Sequence, residues 1–170
     1  YDPRIAKNVG TAFSDKILTG LTRRGSVFYA IRWSEATGAF EFDLGMTVRR
    51  LLTFAGRGRP VRILGFPAYL WQVCDELESR GKRLTLGERA FVITGGGWKI
   101  HKDREVTKDL FKKRVSAILG MPERNIRDSF GMVEHGIPYV DCECGRLHVP
   151  VFARAQVVDP ETLKPLPDGE

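Results

Sequence analysis

The sequence predicts an α/β fold: a mainly parallel sheet with flanking helices, followed by a C-terminal antiparallel β appendage. Three observations carry that expectation. From Met46 onward, segments with helical periodicity alternate with short apolar β-like runs, the order that builds a parallel sheet through right-handed crossovers. The β-like runs end in glycine-containing turns, at Gly65-Phe66-Pro67, at the triple glycine Gly95-Gly96-Gly97 and at Phe130-Gly131. After Val149 the pattern changes to two β-like runs around the turn signal DPETLKPL, as in antiparallel pairing.

The elements follow in order. GSVFYAIRW reads as a strand, and ATGAFEFDLG as a turn into a second short extended segment. MTVRRLLTFAGRG sets Val48, Leu51, Leu52 and Ala55 at helical spacing and closes on glycines that permit a left-handed cap. PVRILGFP is a short apolar strand. AYLWQVCDELESRG gives a second helix, begun at Pro67 and stopped at Gly81, with Leu70, Val73, Cys74 and Leu77 inward. RAFVITGGG is the next strand, TKDLFKKRVSAILG a third helix with Leu110, Val115, Ile118 and Leu119 apolar, and IRDSFGM another strand.

Composition bounds the function classes. With 170 residues, 42% of them hydrophobic, the chain can bury one core and is an ordinary globular sequence. Lys and Arg number 27 against 21 Asp and Glu, a net +6, but the basic residues are scattered among carboxylates with no basic face of interleaved aromatics. That distribution suits a nucleotide and argues against a nucleic-acid partner. No apolar run approaches the roughly 20 residues that span a bilayer, and YDPRIAKNVG has no signal-peptide core, so no membrane span and a cytoplasmic location are expected. The start without Met and the end on the turn signal PLPDGE suggest a piece of a longer chain.

In open parallel sheets, ligands bind outside the carboxyl ends of the strands. Three loops fall there: GFP, TGGGWK and SFGMVEHG. Glycine after a strand lets a flat ring or a phosphate approach the main chain, so Gly95, Gly96 and Gly97 read either as a backbone platform or as a flexible turn. The pattern is neither GxGxxG nor a P-loop, which disfavours a Rossmann site and a P-loop NTPase. Lys99 has two readings, a phosphate contact or a solvated charge. Glu134 can hold Mg²⁺ through its oxygens or lie at the surface; His135 can position substrate, ligate a metal or fill a niche. His135, Cys142, Cys144 and His148 have the ligand types of a zinc set without the usual C-x₂-C spacing. Cys142 and Cys144 would share one strand face with His148. Two reduced cysteines in a hairpin, or a thiol activated by His148, are the other readings.

The stretches RILGFPAYLWQVCDEL, ITGGGWK, DSFGMVEHG and CGRLHVPVFARAQVVDPETLKPLPDGE together resemble the adenylate-forming superfamily, and within it the LuxE-type acyl-protein synthetases, with phenylacetate-CoA ligases next. The resemblance is good over Val61 to Glu170 and loose over the first sixty residues. It implies a partial adenylation domain over residues 1–170, with an α/β part over 1–150 and the start of a β appendage over 151–170. It further implies ATP and Mg²⁺, a fatty or aryl carboxylic acid as substrate, a protein cysteine or coenzyme A as thiol acceptor, and a reductase partner. By resemblance, Gly95–Gly97 lie along the adenine and acyl site, Phe130 and Gly131 near the adenine, and Glu134 on Mg²⁺. Phe66, Tyr69, Leu70, Trp98 and His135 would border the substrate. The family's phosphate loop, ribose-binding Asp and mobile Lys are absent from this sequence, and its nucleophilic Cys lies elsewhere. An incomplete domain with little activity of its own is therefore expected. The rival expectations are an acyl- or aryl-CoA ligase and, from another class, a zinc-stabilised binding module without catalysis.

Overall fold

The computed structural model describes residues 27–131 and 138–167. The first described elements are β1 (Ile31–Ser34) and β2 (Ala39–Phe42), an antiparallel hairpin in which Ile31 pairs with Phe42. Gly38 makes its turn possible: φ is +62° there, and its N–H donates to Ser34 O at 2.9 Å.

Helix α1 (Leu44–Gly56) starts two residues earlier than the apolar spacing indicates, because Asp43 caps it and accepts the Met46 N–H at 2.8 Å. Val48 and Leu51 are buried as expected, whereas Leu52 faces out, since one residue along a helix turns the side chain by about 100°. The helix does not end on a left-handed glycine. Arg57 caps it in a right-handed conformation, and the first left-handed residue is Gly58.

The main sheet has the order β3 (Arg62–Gly65), β4 (Phe91–Gly95), β5 (Ile126–Phe130), β6 (Tyr139–Val140). β3, β4 and β5 are parallel, and β6 returns antiparallel to β5. The two parallel connections are helices α2 (Pro67–Ser79) and α3 (Lys108–Leu119). These pack on each other and therefore lie on the same face of the sheet. Register puts Ile63, Val92 and Ile126 in one row beneath them. That row and the inward faces of the helices form one core with Val73, Cys74, Leu77, Val115 and Ile118 at its centre. Burial pushes the Cys74 thiol up to about 12, so it behaves as a small apolar group.

Helix α3 is capped by Thr107, whose hydroxyl accepts the Leu110 N–H. Leu110, one of the apolar residues of the sequence pattern, is half exposed; Phe111 is buried, in phase with Val115 and Ile118. The helix ends on Gly120 at φ +62°. A Cβ at Gly120 would lie 2.2 Å from Leu84 O, because residues 84–87 run alongside. There the Leu84, Leu86 and Gly87 N–H groups satisfy the terminal carbonyls of Ile118, Leu119 and Gly120 at 2.8 to 3.0 Å.

The C-terminal appendage is slighter than two strands. The DPETLKPL turn forms, with Asp159 N–H on Lys164 O and Leu166 N–H on Val157 O, yet its ladder reduces to the single bridge Val158 to Pro165. Residues 149–156 make no strand, and Val151 and Phe152 are exposed. Proline explains much of this: Pro150, Pro160, Pro165 and Pro167 have no N–H to donate to a ladder. Antiparallel pairing in the main sheet begins earlier, at β6. No described helix is long and apolar enough to cross a membrane.

Candidate functional site

Parallel register brings the three glycine loops together. Gly65 lies beside Thr94, and Gly95 beside Ser129, so the carboxyl ends of β3, β4 and β5 open on one edge with the triple glycine in the middle. Each glycine has its own local reason. A Cβ on Gly95 would meet Ser129 Oγ at 2.6 Å and Ser129 O at 3.1 Å, while Gly96 and Gly97 have φ of +74° and +65°. Space around Gly97 is open. The strand ends beneath are clamped: Ser129 Oγ donates to Thr94 O at 2.9 Å, and Lys108 reaches Asp128 at 2.9 Å. That hydrogen bond to Asp128 raises the Lys108 pKa.

The residues expected to border substrate divide by burial. Trp98 is buried and packs edge-on against Trp71 and Phe111, so its ring anchors the glycine loop in the core. Leu70 is likewise a core residue. Both side chains pack into the core under the helices. Phe66 and Tyr69 stay half-buried at the edge, 5.8 Å apart and edge to face. Phe130 is half exposed and stacks on Tyr139 at 6.4 Å, with Gly131 following. Glu134 and His135 lie outside the described residues.

Sequence reasoning missed three participants. Phe42, from β2, stacks on Tyr69 with centroids 4.5 Å apart. His101, from the short 3₁₀ segment Lys99–Arg104, sits edge-on to Tyr69 at 6.1 Å, and its Nε2 is 3.5 Å from Gln72 Nε2. Nothing in the local spacing joins residues 42, 69, 72 and 101; only the packing of β2, α2 and the segment after β4 does.

The cysteine hairpin differs from its expected geometry. Asp141 bridges to Leu147, and Cys142 N–H donates to Arg146 O at 2.9 Å, so the chain reverses between them with Gly145 at φ +72°. Cys144 is therefore in the turn and exposed, and does not share a strand face with Cys142. Among the described residues no three His, Cys, Asp or Glu side chains come together to hold a metal, and His135, the fourth candidate of the zinc set, lies outside them. The Arg146 backbone N–H and the His148 side chain hold the Cys142 pKa down at about 7. The hairpin runs back from the carboxyl edge, since Asp141 pairs beside Asp128, which places Cys142 away from the glycine loops.

Three parallel strand ends, a left-handed glycine turn between them and an aromatic wall on one flank share one edge of an α/β sheet. The acyl-protein synthetase family, LuxE, matches residues 5–170, and the chain belongs to that family. It is 30% identical over 131 residues to a long-chain-fatty-acid–luciferin-component ligase of Aliivibrio fischeri. It is 30% identical over 132 residues to the protein of the same name from Vibrio harveyi. Each match covers 76% of this chain and 35% of the relative, so the chain spans about a third of the length of the curated relatives it matches.

Proposed function

We propose that the chain is part of the adenylation domain of a fatty-acid-activating acyl-protein synthetase, and that residues 1–170 supply the acyl and adenine edge of its site. The observation that carries this reading is the side-by-side meeting of the GFP, GGGW and FG loops at the carboxyl ends of β3, β4 and β5, in a chain of this family. The relatives' printed names, which specify a ligase acting on a long-chain fatty acid, favour the fatty over the aryl acid.

In this reaction a carboxylate oxygen attacks the α-phosphorus of ATP and pyrophosphate leaves; a thiolate then attacks the acyl carbon and AMP leaves. The protein's work is positioning and neutralisation of charge. The left-handed backbone at Gly96 and Gly97, with open space at Gly97 where a Cβ would stand, fits a flat ring or a phosphate lying against the main chain. The half-exposed Phe130 ring offers an adjacent stacking surface. Mg²⁺ accompanies ATP in this reading and neutralises phosphate charge; its assignment to Glu134 rests on the FGMVE motif. The thiol acceptor is a protein cysteine, and a reductase is the partner that consumes the acyl group.

The test is carboxylate-dependent ATP–pyrophosphate exchange with fatty and aryl acids, run on this 170-residue chain and on a chain of the relatives' length. Exchange with long-chain fatty acids in the longer protein, and little in the shorter, is expected. Lack of exchange in the longer protein refutes the reading, and a preference for aryl acids moves it to the CoA-ligase branch.

A further inference from the structure

We infer that His101 and Gln72 form a carboxylate-binding corner that receives the acid's head group, with Phe42, Phe66 and Tyr69 as the wall for the first part of its alkyl chain. This rests on the reading above and adds residues and a ligand atom to it. His101 is held at the site through the core: its backbone N–H donates to Trp98 O at 2.9 Å, and Trp98 is locked among Trp71 and Phe111. The backbone turns at His101, with φ −105° and ψ 29°, and the ring is half-buried beside Tyr69.

The contact with Gln72 sets which nitrogen faces a ligand. The roles in the 3.5 Å contact follow the His101 tautomer: with the ring proton on Nδ1, Gln72 Nε2 donates to His101 Nε2, and Nδ1 is left as a donor for an acceptor such as a carboxylate oxygen. Beside it the rings supply the apolar half of an amphiphile's complement: Phe42 stacks on Tyr69 at 4.5 Å and Phe66 meets it edge-on at 5.8 Å. Trp98 and Leu70 are buried, so the apolar surface at this edge falls to these half-buried rings.

Strand order also suits the chemistry. The corner lies between the chain segments after β3 and β4, and Phe130 at the end of β5 lies on the far side of β4, so the acid and the nucleotide would approach the glycine turn from opposite flanks.

The experiment is binding of [1-¹³C]dodecanoate and of dodecanol to the full-length protein, for wild type, His101→Ala, His101→Asn and Gln72→Ala, with exchange kinetics alongside. Loss of a hydrogen bond to a charged oxygen predicts a roughly tenfold weaker dodecanoate complex in His101→Ala with dodecanol unchanged. His101→Asn, which keeps an N–H near the Nδ1 position, should recover most of it. The KM for the acid should rise with the KM for ATP unmoved. Equal losses for dodecanoate and dodecanol, or no loss, would overturn the corner. Dodecanoate binding that depends on His101 without any exchange in wild type would support the corner and refute the enzymatic reading.

Discussion

Asp141→Ala is expected to destabilise the protein by about 4 kcal/mol. Both carboxylate oxygens are in use: Oδ2 lies 3.2 Å from Lys112 Nζ, and Oδ1 accepts the Asp128 N–H at 2.9 Å. The Asp141 side chain is 0% exposed and that of Lys112 is 17% exposed, so alanine strands a mostly buried ammonium and a backbone donor together. One-sided removal of a buried ion pair costs about 3–5 kcal/mol, and an orphaned donor about 1–3 kcal/mol. The opening left to Lys112 lets the ammonium reach water and draws the sum to the lower end. Asp141→Asn keeps an acceptor for Asp128 N–H and should cost roughly half as much. The apolar pair Lys112→Met with Asp141→Leu should return to within about 2 kcal/mol of wild type, since two well-packed apolar groups replace two desolvated charges. Urea unfolding of the full-length protein, followed by fluorescence of the tryptophans, measures all three. A cost below about 0.5 kcal/mol for Asp141→Ala, or equal costs for alanine and asparagine, would refute the account of β6 being fastened to β5 and α3 by this carboxylate.

Other outcomes follow from the same geometry. Iodoacetamide should alkylate Cys142 with a half-maximal rate near pH 7 and leave Cys74 untouched in the native state; His148→Ala should move the Cys142 midpoint upward. Because the fold lowers this thiol from 9.0, its stabilising contribution is present above pH 9 and disappears as pH falls through about 7, which native and denatured titrations by mass spectrometry would check. Gly95→Ala should cost about 1–3 kcal/mol through its contact with Ser129, with part recovered by Ser129→Ala, whereas Gly97→Ala should cost about 1 kcal/mol from its left-handed backbone alone. Trp98→Ala should lower stability by about 3–5 kcal/mol and Trp98→Phe by much less, read by thermal unfolding.

Much of the framework was legible in the sequence. Leu70, Val73, Cys74 and Leu77 are the buried face of α2, Gly81 stops it with φ +60°, and Gly120 caps α3, all as periodicity and turn chemistry indicate. The errors fall where neighbours overrule local spacing. Leu52 and Leu110 are apolar but point out, because each helix has one phase that meets the core. The appendage lacks strands because extended residues without a partner, and with prolines among them, form no ladder. Cys144 left the expected face because the left-handed Gly145 turned the chain.

The sequence by itself determined the alternation of helices and strands, the three glycine loops at the strand ends and the family resemblance, since each is written in short stretches whose propensities act locally. Tertiary structure decided the composition of the edge. It sent Trp98 into the core and brought Phe42, Gln72 and His101 to Tyr69. It also made Gly95 obligatory by setting Ser129 against it. Those contacts join residues about 30 apart or more, with Gln72–His101 and Gly95–Ser129 as examples, and depend on strand order and on which face the helices cover. No local period encodes either.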